Sequence, residues 1–154
     1  MIKKTMLKLT LVISALVAMP LAADGGDSSD WGGGSRLKPI QQLIEKQQFP
    51  EAIKQLDAAL IDSPDDADLL NLMAFSHRKL EHFDLALDYY QKALQLKPKH
   101  RGANEYLGEL YLSLGQLEKA QQRLEVLDKA CFFGCKEFDK LEQAIEEYRR
   151  NNPS

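Results

Sequence analysis

The chain is short of reactive side chains: its 154 residues hold two cysteines, three histidines and one tryptophan. His77, His82 and His100 never fall at the H-E-x-x-H or similar spacing that places two metal ligands on one helix face. Five of the nine glycines lie between Gly25 and Gly34, and no phosphate-cradling glycine loop occurs. The histidines read as packing, turn and boundary residues and no nucleophile–base set is apparent, so the chain is not read as an enzyme and no cofactor is expected. Basic residues are not in excess either, with 20 Lys and Arg against 23 Asp and Glu. A nucleic-acid binder normally carries a basic stripe, and nucleic acid is excluded as a partner on that ground.

Long apolar runs are also scarce. The one at Leu9 to Ala18 follows Lys3, Lys4 and Lys8 and precedes small residues and an acidic stretch, the layout of a secretory signal peptide. It is shorter than the roughly 20 residues of a membrane-spanning helix, and Pro20 sits near its end. Cleavage is expected after Ala23, or after Ala22, with a retained anchor as the competing reading; no cysteine follows to carry a lipid. Removing residues 1–23 takes three lysines and no acid, leaving 17 basic against 23 acidic residues and a net charge of −6. A periplasmic or secreted location follows, with no membrane span after cleavage. Residues 24–35, D-G-G-D-S-S-D-W-G-G-G-S, read as a flexible linker. Trp31 within it either docks onto the first helices, lies in the linker, or anchors a partner.

Beyond that linker the chain repeats. E-A-I-K-Q-L-D-A-A-L-I-D-S-P from Glu51 aligns with L-A-L-D-Y-Y-Q-K-A-L-Q-L-K-P from Leu85 at an offset of 34 residues. Phe49, Ala52, Ala59 and Pro64 match Phe83, Ala86, Ala93 and Pro98, and the same step reaches Leu117, Ala120, Leu124 and Leu127. Three units follow, 33–66, 67–100 and 101–134. Each reads as two helices: Leu69, Leu70, Met73, Ala74 and Leu80 recur at spacings of three and four, and Leu85 to Leu96 form a second stripe ended by Pro98. Gly115 is expected to make a turn. Ser63 is expected to cap the helix that follows S-P-D-D-A, with Pro64 in its first turn. Residues 135–150 form a capping helix with Phe138, Leu141, Ala144, Ile145 and Tyr148 on one face.

In this register the units resemble the tetratricopeptide repeat family. Leu70, Met73, Ala74, Ala86, Tyr90, Ala93 and Pro98 fit its pattern in the second unit, and Leu107, Gly108, Tyr111, Ala120 and Leu124 in the third. His77, Asn104, Leu127 and Phe132 depart from it. Pro39 stands inside the first unit's opening helix, which is therefore short. The resemblance implies an all-α fold: a superhelix of helical hairpins over residues 36–150, three repeats plus a C-terminal cap. Small residues on the two helices of a hairpin, Ala74 or Gly108 against Ala86 or Ala120, are expected to meet.

The resemblance further implies a concave face lined by the first helix of each unit. Its expected partner-binding residues are Ile44, Asp68, Asn71, Phe75, Arg78, Lys79, Glu105, Glu109 and Leu112, with Glu45 beside Ile44. The function implied is a non-enzymatic interaction module, an exported adaptor or assembly factor that binds a protein or peptide segment.

The alternative rests on Cys131 and Cys135: thiol–disulfide exchange, or copper handling, since thiolates suit soft metals such as Cu(I). Outside the cytoplasm a nearby pair is read first as a disulfide. Four residues apart on an unbroken helix, Cβ atoms stand about 5–6 Å apart, beyond the roughly 3.5–4.5 Å of a disulfide. A bridge therefore requires the helix to break, and Gly134 is where it can. Phe132 and Phe133 are expected to bury that corner.

Overall fold

The computed structural model describes residues 37–153. The expected signal peptide at 1–23, the linker at 24–35 with Trp31, and the start of the 33–66 unit lie outside the described residues. Every regular element among the described residues is a helix: α1 Lys38–Glu45, α2 Phe49–Asp62, α3 Ala67–Lys79, α4 Phe83–Leu96, α5 Arg101–Ser113, α6 Leu117–Ala130 and α7 Lys136–Asn151. The first six pair as hairpins, and α7 packs on both α5 and α6. None of these helices is long and apolar enough to cross a membrane.

The 34-residue period is written into the backbone of the turns. Gln47, Glu81 and Gly115 have φ of 58°, 61° and 72°, one per hairpin. Around them Gln48 N–H donates to Leu43 O at 2.8 Å, His82 N–H to His77 O at 2.9 Å, and Gln116 N–H to Tyr111 O at 2.8 Å. These bonds, with those from Gln47, Glu81 and Gly115 N–H to carbonyls three residues back, satisfy the last carbonyls of α1, α3 and α5. Glycine is the ordinary residue for this conformation, yet only the third turn has it.

Helix starts differ from expectation at one place. Ser63 ends α2 and Pro64 lies in the connection; the cap of α3 is Asp66, whose Oδ1 accepts from Asp68 N at 3.0 Å and Leu69 N at 3.2 Å. A carboxylate both accepts these bonds and complements the positive end of the helix dipole. At α5 the cap is His100: Nδ1 accepts from Ala103 N at 3.1 Å. Asn104, which stands where the repeat pattern wants a large apolar residue, is fully buried and donates to Pro98 O and His100 O at 3.1 and 2.9 Å. It ties the loop before α5 to the helix itself.

The core is three successive clusters. Leu37, Ile40, Ile44, Ala52, Leu56, Leu69, Leu72 and Met73 join the first hairpin to α3. Leu70, Ala74, Ala86, Tyr90, Ala93, Leu107 and Leu110 join the second to the third. Leu112, Ala120 and Leu127 pack with Leu141 and Ile145 of α7, so the cap covers the apolar face that the last hairpin would otherwise leave open. Gly108 serves this contact: a Cβ there would stand 2.5 Å from Leu141 Cδ2 and 2.6 Å from Cδ1. The nearest neighbour that calls for a glycine at 108 is therefore Leu141 of the cap.

Between α6 and α7 the chain turns a corner. Cys131 ends α6 and Cys135 begins α7; a disulfide joins them with Cα atoms 5.6 Å apart, and Gly134 takes φ 83°. Phe132 and Phe133 do not bury the corner. They are 89% and 96% exposed and touch each other edge to face at 5.0 Å. The linked cysteines, with Cys131 only 7% exposed, occupy the inside of the bend, and the intervening residues are turned outward.

Candidate functional site

A groove of about 650 Å³ runs across the array. Ile44, Glu45, Gln47 and Phe49 form the edge supplied by the first hairpin, Phe75, Arg78 and Lys79 come from α3, Glu105, Tyr106 and Glu109 from α5, and Lys140 from α7. Its floor is aromatic because helical spacing brings one ring from each unit to the same level. Phe75 meets Tyr106 edge to face at 4.9 Å and Phe49 at 6.4 Å.

Charge is laid over this floor. The Arg78 guanidinium stands 5.5 Å from both the Phe75 and Tyr106 ring centroids, and Lys79 Nζ stands 5.3 Å from Phe75. Both are cation–π distances. Arg78 also donates to Glu109 Oε2 at 2.8 Å, which fixes α3 against α5. Glu105, 3% exposed, has its pKa pushed up to about 8: burial disfavours the carboxylate and the negative Glu109 and Glu137 add to this, while Lys140 and Arg78 oppose it. At neutral pH it therefore carries a proton. Burial also raises the Tyr106 phenol, which keeps it a neutral hydrogen-bonding group.

Six of the nine residues expected to bind a partner line this groove: Ile44, Phe75, Arg78, Lys79, Glu105 and Glu109. Three stand elsewhere. Leu112 is buried under α7 with Leu141 and Ile145. Asn71 is 2% exposed, with its Nδ2 3.3 Å from where a Cβ on Gly102 would stand, so it fills the seam between α3 and α5. Asp68 is a structural latch, its Oδ1 2.8 Å from His100 Nε2 and its Oδ2 3.6 Å from Lys97 Nζ. Gln47, Phe49, Tyr106 and Lys140 were not anticipated. A reading confined to concave positions of the first helices misses residues from a turn, from a second helix and from the cap. The alternation of aromatics at Phe49, Phe75 and Tyr106 was the available signal.

The cysteine pair lies at the α6–α7 corner, and its residues do not line the groove. Among the described residues no group of three or more His, Cys, Asp or Glu is placed to hold a metal ion.

A tetratricopeptide repeat profile matches residues 77–130, spanning the end of α3, α4 and the third hairpin of α5 and α6. Residues 77–130 carry tetratricopeptide repeats. Among curated proteins the chain is similar to intraflagellar transport protein 70A2 of Rattus norvegicus, 26% identical over 109 residues, 71% of this chain and 16% of that protein. It is 36% identical over 78 residues to the peroxisomal targeting signal receptor of Candida albicans, 51% of this chain and 13% of that protein. The chain thus spans less than a fifth of these relatives. Among solved structures, the chain superposes on the type III secretion translocator chaperone SycD of Yersinia enterocolitica with a TM-score of 0.66 at 14% identity, covering 77% of this chain and 84% of that one. A structure of SycD with a peptide of the translocator YopD gives 0.63 at 16% identity, covering 75% and 88%. At these identities the likeness is one of fold.

Proposed function

We propose that the protein is an exported, non-catalytic adaptor or assembly factor that holds an extended or helical segment of a partner protein in the groove between Ile44 and Lys140. The observation that carries this reading is the floor of Phe49, Phe75 and Tyr106 crossed by the fixed Arg78–Glu109 pair. Rigid aromatic rings supply contact area at little entropic cost, and a positioned ion pair sets register. That SycD, a chaperone of the same fold, has a structure with a peptide of YopD supports the reading. The layout of residues 1–23 supports the exported half of it.

Affinity capture from the native extracytoplasmic fraction tests the groove. Charge reversal at both positions, Arg78→Glu with Lys79→Glu, is expected to abolish recovery of the partner while the helical content stays that of wild type. Undiminished recovery would remove the groove as the site. The mass of the purified native protein tests export: a chain beginning at Asp24 or Ala23 agrees with it, and an unprocessed cytoplasmic chain does not.

A further inference from the structure

Building on the groove as a binding site, we infer that its resident occupant is the chain's own segment 24–36, with Trp31 on the aromatic floor and its aspartates toward the basic wall.

The floor has the chemistry for an indole. Phe75 and Tyr106 stand edge to face at 4.9 Å with Phe49 beside them, and Arg78 and Lys79 lie within 5.5 Å of those rings. Tryptophan is the side chain best suited to such a mixed site: its ring packs edge to face with other aromatics and is the strongest cation–π acceptor. The charges also agree. Asp24, Asp27 and Asp30 precede Trp31, and Arg78, Lys79 and Lys140 stand on the walls of the groove.

Reach is sufficient. Leu37, where the described chain begins, is buried in the same cluster as Ile44, and Ile44 and Glu45 at the other end of α1 form one lip of the groove. The eight residues of α1 rise about 12 Å at 1.5 Å each. Five residues separate Trp31 from Leu37, and the six Cα–Cα steps span up to about 20 Å. Gly32, Gly33 and Gly34 permit the chain to reverse along α1.

A short tether of this kind gives an effective concentration on the order of mM. A contact of mM intrinsic affinity then closes the groove about half of the time and weakens partner capture about twofold. The segment acts as a competitor that a partner must displace.

Trp31 is the sole tryptophan, so its fluorescence reports this contact alone. In the full chain its emission should be blue-shifted, and acrylamide quenching up to about twofold slower, relative to a synthetic peptide of residues 24–36, independent of protein concentration. Phe75→Ala should return both readings to those of the peptide. So should Asp27→Lys with Asp30→Lys, which leaves every residue of α1 to α7 unchanged; this variant should also capture partner about twofold more tightly. Quenching in wild type as fast as in the peptide would overturn the inference, as would protection that persists in both variants. Protection that grows with protein concentration would overturn it too, by assigning the groove to a second copy. If partner capture depends on Arg78 and Lys79 while Trp31 is fully exposed, the groove reading stands and the self-occupied groove falls.

Discussion

Arg78 of α3 reaches Glu109 of α5 at 2.8 Å, and this pair links consecutive repeats across the floor of the groove. The residues are 31 apart in sequence and adjacent in space because each occupies the inner face of the first helix of its unit. The Arg78 side chain is 12% exposed and that of Glu109 28%, so neither is well solvated and each depends on the other.

Removing one partner should therefore cost more than removing an exposed ion pair. Arg78→Met leaves Glu109 beside Glu105, and a loss of about 1.5–3 kcal/mol in urea denaturation is expected. Glu109→Gln keeps a hydrogen-bond acceptor and should cost less. Equal costs for the two variants would mean that the pair is not the source of the effect.

Glu105 makes stability depend on pH. Its native pKa of about 8 lies above the ordinary value of 4.5 because burial, then Glu109, favours the proton. The native state holds that proton more tightly than the unfolded chain, so this contribution is fully present below about 4.5 and is lost as pH rises through about 8. Stability should fall across that window, and Glu105→Gln should flatten the fall. Chemical denaturation at pH 6 and pH 9 checks it; identical slopes for wild type and variant would exclude Glu105 as the cause.

Gly108→Ala should displace the cap. The added methyl would stand 2.5 Å from Leu141 Cδ2, an overpacking expected to cost about 1–3 kcal/mol. Limited proteolysis should cut preferentially within α7. Leu141→Ala in the same chain should recover part of the loss by making room, and a purely additive double variant would argue against the contact.

Glu81 occupies the left-handed region at φ 61° where the third hairpin has Gly115. A non-glycine residue pays roughly 1–2 kcal/mol there, and glycine returns about 0.5–1 through its freer unfolded chain. Glu81→Gly should therefore raise stability by about 0.5 kcal/mol, whereas Gly115→Ala should lower it. A drop in melting temperature for Glu81→Gly would show that its side chain matters more than its backbone.

The bridge between Cys131 and Cys135 closes a segment with a sequence separation of only four. Restricting so short a loop in the unfolded chain gives little stabilisation, and the staple chiefly sets the angle between α6 and α7. Serine at both positions should lower the melting temperature slightly and leave partner capture intact. Alkylation with mass spectrometry of the native protein separates this from the thiol or copper reading: a fully oxidised pair supports a structural staple, a reduced or metal-loaded pair supports chemistry.

The period of 34 and the amphipathic spacing were sufficient to specify seven helices, because both depend on residues close in the chain. Ala86, Ala93 and Ala120, fully buried, are small where two helices must approach, and that need is legible wherever the period repeats. Ser63 was the expected cap and Asp66 is the actual one; serine and aspartate both cap well, and only the path of the connection selects Asp66. Phe132 and Phe133 were misplaced because apolar residues between two helices are expected inside. Which way a two-residue bulge points depends on the bend that the cysteines make.

The sequence by itself determined the repeat, the hairpins and the inner face, for these follow from periodicity and side-chain size. Only the tertiary structure decided which inner residues remain accessible. Leu112 and Glu109 both lie on α5, yet α7 packs over Leu112 and leaves Glu109 at the groove. Asn71 was taken up by the seam with Gly102, and Tyr106 and Lys140 were brought to the groove from positions that no single repeat marks. Accessibility is a property of how neighbouring helices stack, and stacking joins residues that the 34-residue period treats separately.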